Sequence, residues 1–245
     1  MSKEFLPISS VSDSQSWNMY KNTEHRWTFN KLELALLQGL HAGPAAVPPE
    51  KEGWYIQRPT YNLYGLGIEA KKFFYHPYMF KRIINHDLIP PGNFWCEWVE
   101  GDQFSLNYRK TVHGKWHLVS VWRGVLFSDE NLTKFNYWEK VSLSHGIPPE
   151  KLPYFVNWLD DEKTTCFNIE IKGGKIIEIH LRSGDEIEDN FEINDKIFPI
   201  WVDEDNDYIK NIEEPDPEMT LFKAHGHLSI VRDGFHLEKI NKDTC

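Results

Sequence analysis

Residues 167–182 read FNIEIKGGKIIEIHLR, two runs of strict alternation joined by Gly173-Gly174, and this stretch leaves few folds open. Phe167, Ile169 and Ile171 form one face of the first run, with Asn168, Glu170 and Lys172 on the other. In the second run Ile177, Ile179 and Leu181 oppose Glu178, His180 and Arg182. Alternation with period two means a strand, and two such runs around glycines mean a hairpin. A strict two-residue turn would pair Glu170 with Ile177, polar against apolar. A three-residue loop ending at Lys175, with a glycine in the left-handed region, pairs Glu170 with Glu178 and keeps both faces consistent.

That register makes two carboxylates neighbours, with His180 and Arg182 beside them. One reading is a solvated face on which Lys172 and Arg182 neutralise the acids, since one sheet face is commonly polar. The other starts from the cost of like charges placed opposite one another. A divalent cation removes that cost, and hard oxygen donors suit magnesium. Both readings stand on the sequence alone.

The rest of the chain sets the frame. Its 245 residues are 40% hydrophobic and 14% aromatic, enough for one large domain or two small ones. A formal charge of −10 excludes a protein whose main task is wrapping nucleic acid, but leaves room for a small anion held by local cations. Cys96, Cys166 and Cys245 show no CxxC spacing and fit reduced thiols in a cytoplasmic protein. The opening MSKEFLPISSVSDSQSW lacks the pattern of a signal sequence, and no apolar run has the length of a membrane span.

Residues 1–24 are polar and irregular and read as an arm or a short peripheral element. Asn30 is placed to cap a helix through KLELALLQGL, with Leu32, Leu36 and Leu40 on one face, Leu34 and Leu37 widening it, and HAGPAAVPP ending it. GWYIQRPTY reads as a strand, NLYGLGIEA as a glycine-bearing turn, and residues 86–92 as a loop. From Asn93 to Phe127 strand residues dominate, with Phe104, Leu106 and Tyr108 alternating and His113-Gly114 as a hairpin tip. A short helix is expected over 149–159, an acidic, proline-containing segment over 183–218, and a last strand pair in HLSIV and FHLEKI. This order means α+β with mostly antiparallel sheets.

The motifs NKLELALLQGLHAGPAAVPP, WYIQRP, YNLYGLGIEA, FWCEWVEGDQFSLNY and FNIEIKGGKIIEIHLR follow one another in the order of a known family. Over residues 30–182 the chain resembles the ATP-grasp superfamily, in which ATP lies between two α+β lobes and activates a carboxylate as an acyl phosphate. The resemblance implies an arm over 1–29, a smaller lobe over 30–92 and a larger lobe over 93–245. Lys31 matches the lysine near the first helix, and Arg58 stands where a nucleotide-binding lysine belongs. Gly65 and Gly67 match the loop over the phosphates; Glu97, Trp98 and Val99 match the linker at the adenine edge, with Glu100 at the ribose. Glu170 and Glu178 match the metal carboxylates, His180 stands at the family's asparagine, and Arg182 at an arginine facing transferred phosphate or substrate. The cofactors implied are ATP with Mg2+ or Mn2+, and the partners a small-molecule carboxylate and amine.

Four features depart from the family pattern. Arg58 replaces a lysine, keeping the charge but not the shape. His180 replaces an oxygen donor with a nitrogen, the glycine loop has few glycines, and little sequence precedes Lys31. The compact, tryptophan-rich form also resembles ATP-grasp-like proteins of bacteriophages. The resemblance thus implies an ATP-dependent carboxylate–amine ligase in which Arg58 acts on phosphate and Arg182 on transferred phosphate or substrate. The alternative is a non-catalytic nucleotide-binding or interaction protein on a decayed scaffold, of viral origin and acting in the host cytoplasm. Among the remaining residues, His225, His227 and His236 read as surface or core histidines. Trp95, Trp116 and Trp122 read as sheet core, and the acidic run 203–207 as a solvated loop.

Overall fold

The computed structural model describes residues 4–7, 13–19, 24–61, 70–80, 89–126, 132, 135–159, 164–183, 191–202, 208–209, 219–222 and 235–240. The helices are α1 (Asp13–Met19), α2 (Lys31–Leu37) and α3 (Pro77–Phe80). Strands β1 (Ala42–Pro44), β2 (Gly53–Pro59), β3 (Lys71–Tyr75) and β4 (Asn93–Glu97) form a small antiparallel sheet in the order β1-β4-β2-β3. The large sheet has β5 (Gln103–Lys110), β6 (Trp116–Leu126), β7 (Phe135–Val141), β8 (Cys166–Lys172) and β9 (Lys175–His180). It continues through β10 (Lys196–Val202), β11 (Tyr208–Ile209), β12 (Met219–Phe222) and β13 (Phe235–Ile240). Its order is β12-β13-β10-β7-β6-β5-β8-β9, all neighbours antiparallel, with β11 on β10. The α+β class with antiparallel sheets follows the expectation. Asn93–Glu97, however, is hydrogen-bonded to β1 and β2 rather than to the strands after it.

The hairpin shows how the register is reached. Gly173 and Gly174 have φ of +52° and +78° and form a two-residue turn that pairs Lys172 with Lys175 and Ile171 with Ile176. The expected three-residue loop is therefore not used. The register instead shifts by one residue between Glu170 and Ile171, so that Glu170 faces Glu178 after all. The bulge does what the longer loop was expected to do: it absorbs the odd residue while the twist-matched turn stays intact.

Helix α2 is capped by Asn30, whose side chain accepts from Glu33 N–H at 3.1 Å. It stops before HAGPAAVPP, because Gly39 takes φ +70° and turns the chain, with Leu40 N–H reaching Ala35 C=O at 3.0 Å. Its buried residues are Lys31, Leu34 and Ala35, while Leu36 is half exposed. The helix expected over 149–159 is two 3-10 segments, Pro149–Lys151 and Tyr154–Leu159, separated by Leu152 and Pro153. Within the acidic, proline-containing segment, Lys196–Val202 forms β10. FHLEKI is a strand that pairs with β10 and β12, while HLSIV lies outside the described residues.

The main core lies on one face of the large sheet, where Leu106, Tyr108, Val121, Phe167, Ile169 and Ile179 pack against Phe155, Leu159 and Leu34. The opposite face is polar yet buried. Asn168 donates to Ser105 Oγ at 2.8 Å and Asn107 Oδ1 at 2.7 Å, and Asn107 donates to Ser120 Oγ at 3.0 Å. This satisfied ladder fixes β5, β6 and β8 in register and leads along the face to Glu170.

Candidate functional site

Glu170 projects from β8, and Glu178 and His180 from β9, all on the polar face of the large sheet. One ligand atom from each lies within 4.8 Å of the others. Each of these side chains is held by a different neighbour. Glu178 Oε1 accepts from Lys31 Nζ at 2.6 Å, and its Oε2 lies 3.4 Å from His180 Nε2. Glu170 Oε2 accepts from Gln103 Nε2 at 3.0 Å, and its Oε1 lies 3.8 Å from His180 Nε2. His180 Nδ1 lies 3.0 Å from Asp13 Oδ1. A carboxylate can only accept, so Nδ1 carries the hydrogen. One oxygen from each glutamate and the histidine Nε2 thus converge, while the remaining atom of each group is tied down.

Two cations come from the opposite side. Lys31 opens α2, where the Asn30 cap fixes the first turn, and Arg58 lies near the end of β2. Arg58 Nη1 is 3.9 Å from Glu178 Oε1, its guanidinium sits 5.4 Å from the Phe94 ring, and its Nε makes no hydrogen bond among the described residues. Lys31 is 4%, Arg58 8%, Glu178 8% and His180 6% exposed, so these charges meet in little water. Burial alone would raise the Glu178 carboxyl, but Lys31, His180 and Arg58 hold it well below the usual carboxylate range. Burial pushes the Lys31 ammonium below the usual lysine value, against the pull of Glu178. Burial also opposes a charged His180, yet Asp13, Glu170 and Glu178 together raise its pKa well above the ordinary value. Asp13 at Nδ1 and the two glutamates at Nε2 therefore favour positive charge on the ring.

The donors fit a divalent ion. Two carboxylate oxygens and one imidazole nitrogen, each oriented by a second hydrogen bond, are the arrangement such a centre needs. Arg182, expected to face phosphate or substrate, places its Nε 2.9 Å and its Nη2 3.2 Å from the two oxygens of Asp13. His180 and Arg182 outweigh burial and hold Asp13 far below the usual carboxylate range.

The linker after β4 is laid over the hairpin turn. Gly173 N–H donates to Asp102 C=O at 3.1 Å, and a Cβ on Gly173 would collide with the Glu100 carbonyl oxygen. Glu97 spends one oxygen on His41 N–H at 2.9 Å, and Trp98 N–H donates to Trp54 C=O at 2.9 Å. Trp98 lies between Lys72 at 4.1 Å and Lys172 at 5.2 Å, and its Nε1 donates to the exposed Glu100 at 2.6 Å. Val99 packs beside Ile56 and Cys96. Gly65 and Gly67 lie outside the described residues. So do His225 and His227, and so does the run 203–207. Trp95 and Trp122 are buried and Trp116 is half-buried, as sheet-core residues are.

Two residues of the site went unread in the sequence. Asp13 belongs to a stretch with no pattern beyond polarity, and its role follows only from the docking of α1, where Ser16 also donates to Leu181 C=O at 3.1 Å. Gln103 carried a usable signal: it shares with Ser105 and Asn107 the polar half of an alternating strand. Among the described residues no helix is long and apolar enough to cross a membrane.

No family model and no curated protein matches the chain. Among solved structures, it is similar to N5-carboxyaminoimidazole synthetase from Staphylococcus aureus complexed with ADP. That likeness has a TM-score of 0.57 at 9% identity and covers 96% of this chain and 75% of that one. The L-amino acid ligase from Bacillus licheniformis is similar over 93% of this chain and 72% of its own, at 10% identity and a TM-score of 0.48. At such identity the likeness speaks of architecture: this chain has the two-sheet α+β fold of the ATP-grasp proteins.

Proposed function

We propose that the chain is an ATP-grasp-like ligase that activates a carboxylate as an acyl phosphate for attack by an amine. One observation carries the reading. Lys31 and Arg58 reach from one side toward Glu170, Glu178 and His180 on the other, forming a buried polyion site in which the Arg58 Nε has no hydrogen bond among the described residues. A phosphate oxygen is the partner such a guanidinium takes. A solved structure sharing the fold, the Staphylococcus aureus synthetase, is complexed with ADP, which supports a nucleotide here.

In this reading Glu170, Glu178 and His180 hold Mg2+ or Mn2+, which when bound neutralises charge on the phosphates of the substrate ATP. The substrate carboxylate attacks the terminal phosphorus and ADP leaves; the amine then attacks the acyl carbon and phosphate leaves. Lys31 and Arg58 orient and neutralise phosphate, and Arg182 adds positive charge at the edge of the site. Gly65 and Gly67 enter as the loop over the phosphates on the resemblance alone. Glu97 and Trp98 frame the base. Base reading by backbone narrows to Val99 and beyond, because Trp98 N–H is spent on Trp54; Glu100 takes the ribose. The lobes proposed are residues 30–92 and 93–245, with residues 1–29 as an arm, except that β4 (Asn93–Glu97) pairs with β1 and β2 and so moves the division to just after residue 97.

The rival, a non-catalytic nucleotide-binding protein on the same scaffold, draws on Lys31, whose ammonium is already 2.6 Å from Glu178. Thermal shift with ATP and Mg2+ or Mn2+, and ADP release with a pool of amino acids and small carboxylates, separate the two. The ligase predicts a raised melting temperature and ADP release for wild type, a retained shift in Arg58→Lys, and loss of both signals in Arg58→Ala. A shift without release under any condition favours the rival. No shift for wild type at millimolar ATP overturns both.

A further inference from the structure

The resemblance and the site's charge leave Asp13 without a role, although this residue comes from α1, far from the hairpin in sequence, and is 5% exposed. Its Oδ1 lies 3.0 Å from His180 Nδ1 and 2.9 Å from Arg182 Nε, and its Oδ2 3.2 Å from Arg182 Nη2. Arg182 fixes the carboxylate, and the carboxylate fixes the ring. With Nδ1–H committed, the ring cannot flip, and Nε2 faces Glu178 Oε2 at 3.4 Å and Glu170 Oε1 at 3.8 Å. Lys31 and Gln103 do the same for the two glutamates. All three converging atoms thus have an orienting partner, and the one for the nitrogen is supplied by the N-terminal segment.

We propose that Asp13 is a positioning residue that presents His180 Nε2 to the ion held by Glu170 and Glu178, making the centre prefer Mn2+ over Mg2+. This rests on the metal site of the proposed function and adds its selectivity. Mg2+ favours oxygen ligands, whereas Mn2+ accepts oxygen and tolerates imidazole nitrogen. A carboxylate behind the imidazole fixes its tautomer and raises its basicity, which strengthens the nitrogen bond to the metal. The glutamates alone would give no such bias.

The test uses the full chain and the metals alone. Mn2+ binding is read by the loss of the free-ion electron paramagnetic resonance signal, and Mg2+ by competition. Pulsed measurements on the bound Mn2+ report whether nitrogen coordinates. Wild type is expected to bind Mn2+ with a nitrogen coupling. Asp13→Asn should lose about tenfold or more in Mn2+ affinity. Its Mg2+ affinity should change much less, so the Mn2+/Mg2+ ratio falls. His180→Asn should lose the nitrogen coupling and the preference together. Because Asp13 also binds Arg182, the double variant Asp13→Asn/Arg182→Gln removes both charges and serves if the single one does not fold. An equal loss for both metals shows a structural role only and overturns the proposal. Mn2+ binding without nitrogen coupling also overturns it, while leaving the metal site standing. Failure of wild type to bind either ion overturns the metal reading beneath it.

Discussion

Lys31 concentrates the residue-scale physics of the site. Its ammonium sits 2.6 Å from a glutamate oxygen, and both side chains are almost wholly buried. Removing one partner of a buried pair leaves a charge without compensation, at a cost of about 3–5 kcal/mol. For Lys31→Met we expect the low end, about 3 kcal/mol in urea unfolding, because Arg58 and His180 still face Glu178. The double variant Lys31→Met/Glu178→Gln should cost less than the sum of the two single variants; additivity would mean the pair is not coupled. Cys96 is a second case of burial overriding chemistry. Burial pushes its thiol up to about 11, despite the nearby Arg58. Its raised pKa favours the neutral thiol in the folded state, so it adds nothing to stability at neutral pH and costs stability only above the ordinary thiol range. Iodoacetamide at pH 8, followed by peptide mass mapping, should leave Cys96 unlabelled in the native protein and labelled in urea. Rapid native labelling would show that the strand opens locally.

At the scale of elements, the hairpin can be tested one glycine at a time. Gly173 and Gly174 both have positive φ, but only at Gly173 would an added methyl run into backbone, the Glu100 carbonyl oxygen. Gly174 has nothing within 4 Å. Gly174→Ala should therefore cost only the left-handed penalty, about 1–2 kcal/mol. Gly173→Ala adds a clash with the linker and should cost clearly more, about 3 kcal/mol or above. Equal costs by denaturant unfolding would mean the linker yields. The same hairpin shows what the sequence could convey. Alternation placed Glu170 opposite Glu178, but beyond the bulge Ile176, rather than the expected Ile177, pairs with Ile171 and joins the core. Alternation did not distinguish a longer loop from a tight turn plus a bulge, because both absorb one residue and both bring the two glutamates together. Lys31 and Arg58 were legible as candidate cations through the order of motifs. Asp13 was not, because nothing in a short polar helix says which distant strand it will meet. The length of α2 was overestimated, since leucine spacing carries on past Gly39, where a left-handed glycine turns the chain.

On the scale of the whole molecule, α2 is what makes two sheets into one body. Leu34 belongs to the core of the large sheet, and its neighbour Ala35 to the cluster under the small one, so adjacent residues are buried in different cores. Gln38 extends the link: its Nε2 donates to Ile176 C=O, and its Oε1 accepts from Ile176 N–H, both at 2.7 Å. Those two groups lie on β9, an edge strand of the large sheet among the described residues, so the side chain of a residue just past the helix occupies the place of a further strand. Lys31 ties the start of the same helix to Glu178. A helix held this way cannot leave one sheet without leaving the other, and the site between them exists only while both are folded. The expected consequence is shared opening. Native-state hydrogen exchange should give the most protected amides of β4 and β9 the same opening free energy. Leu34→Ala, which removes a fully buried leucine, should lower both by about 3 kcal/mol. If protection falls in β9 while β4 keeps its own, the helix belongs energetically to the large sheet alone, and ligand binding rather than α2 would have to hold the small sheet over the site.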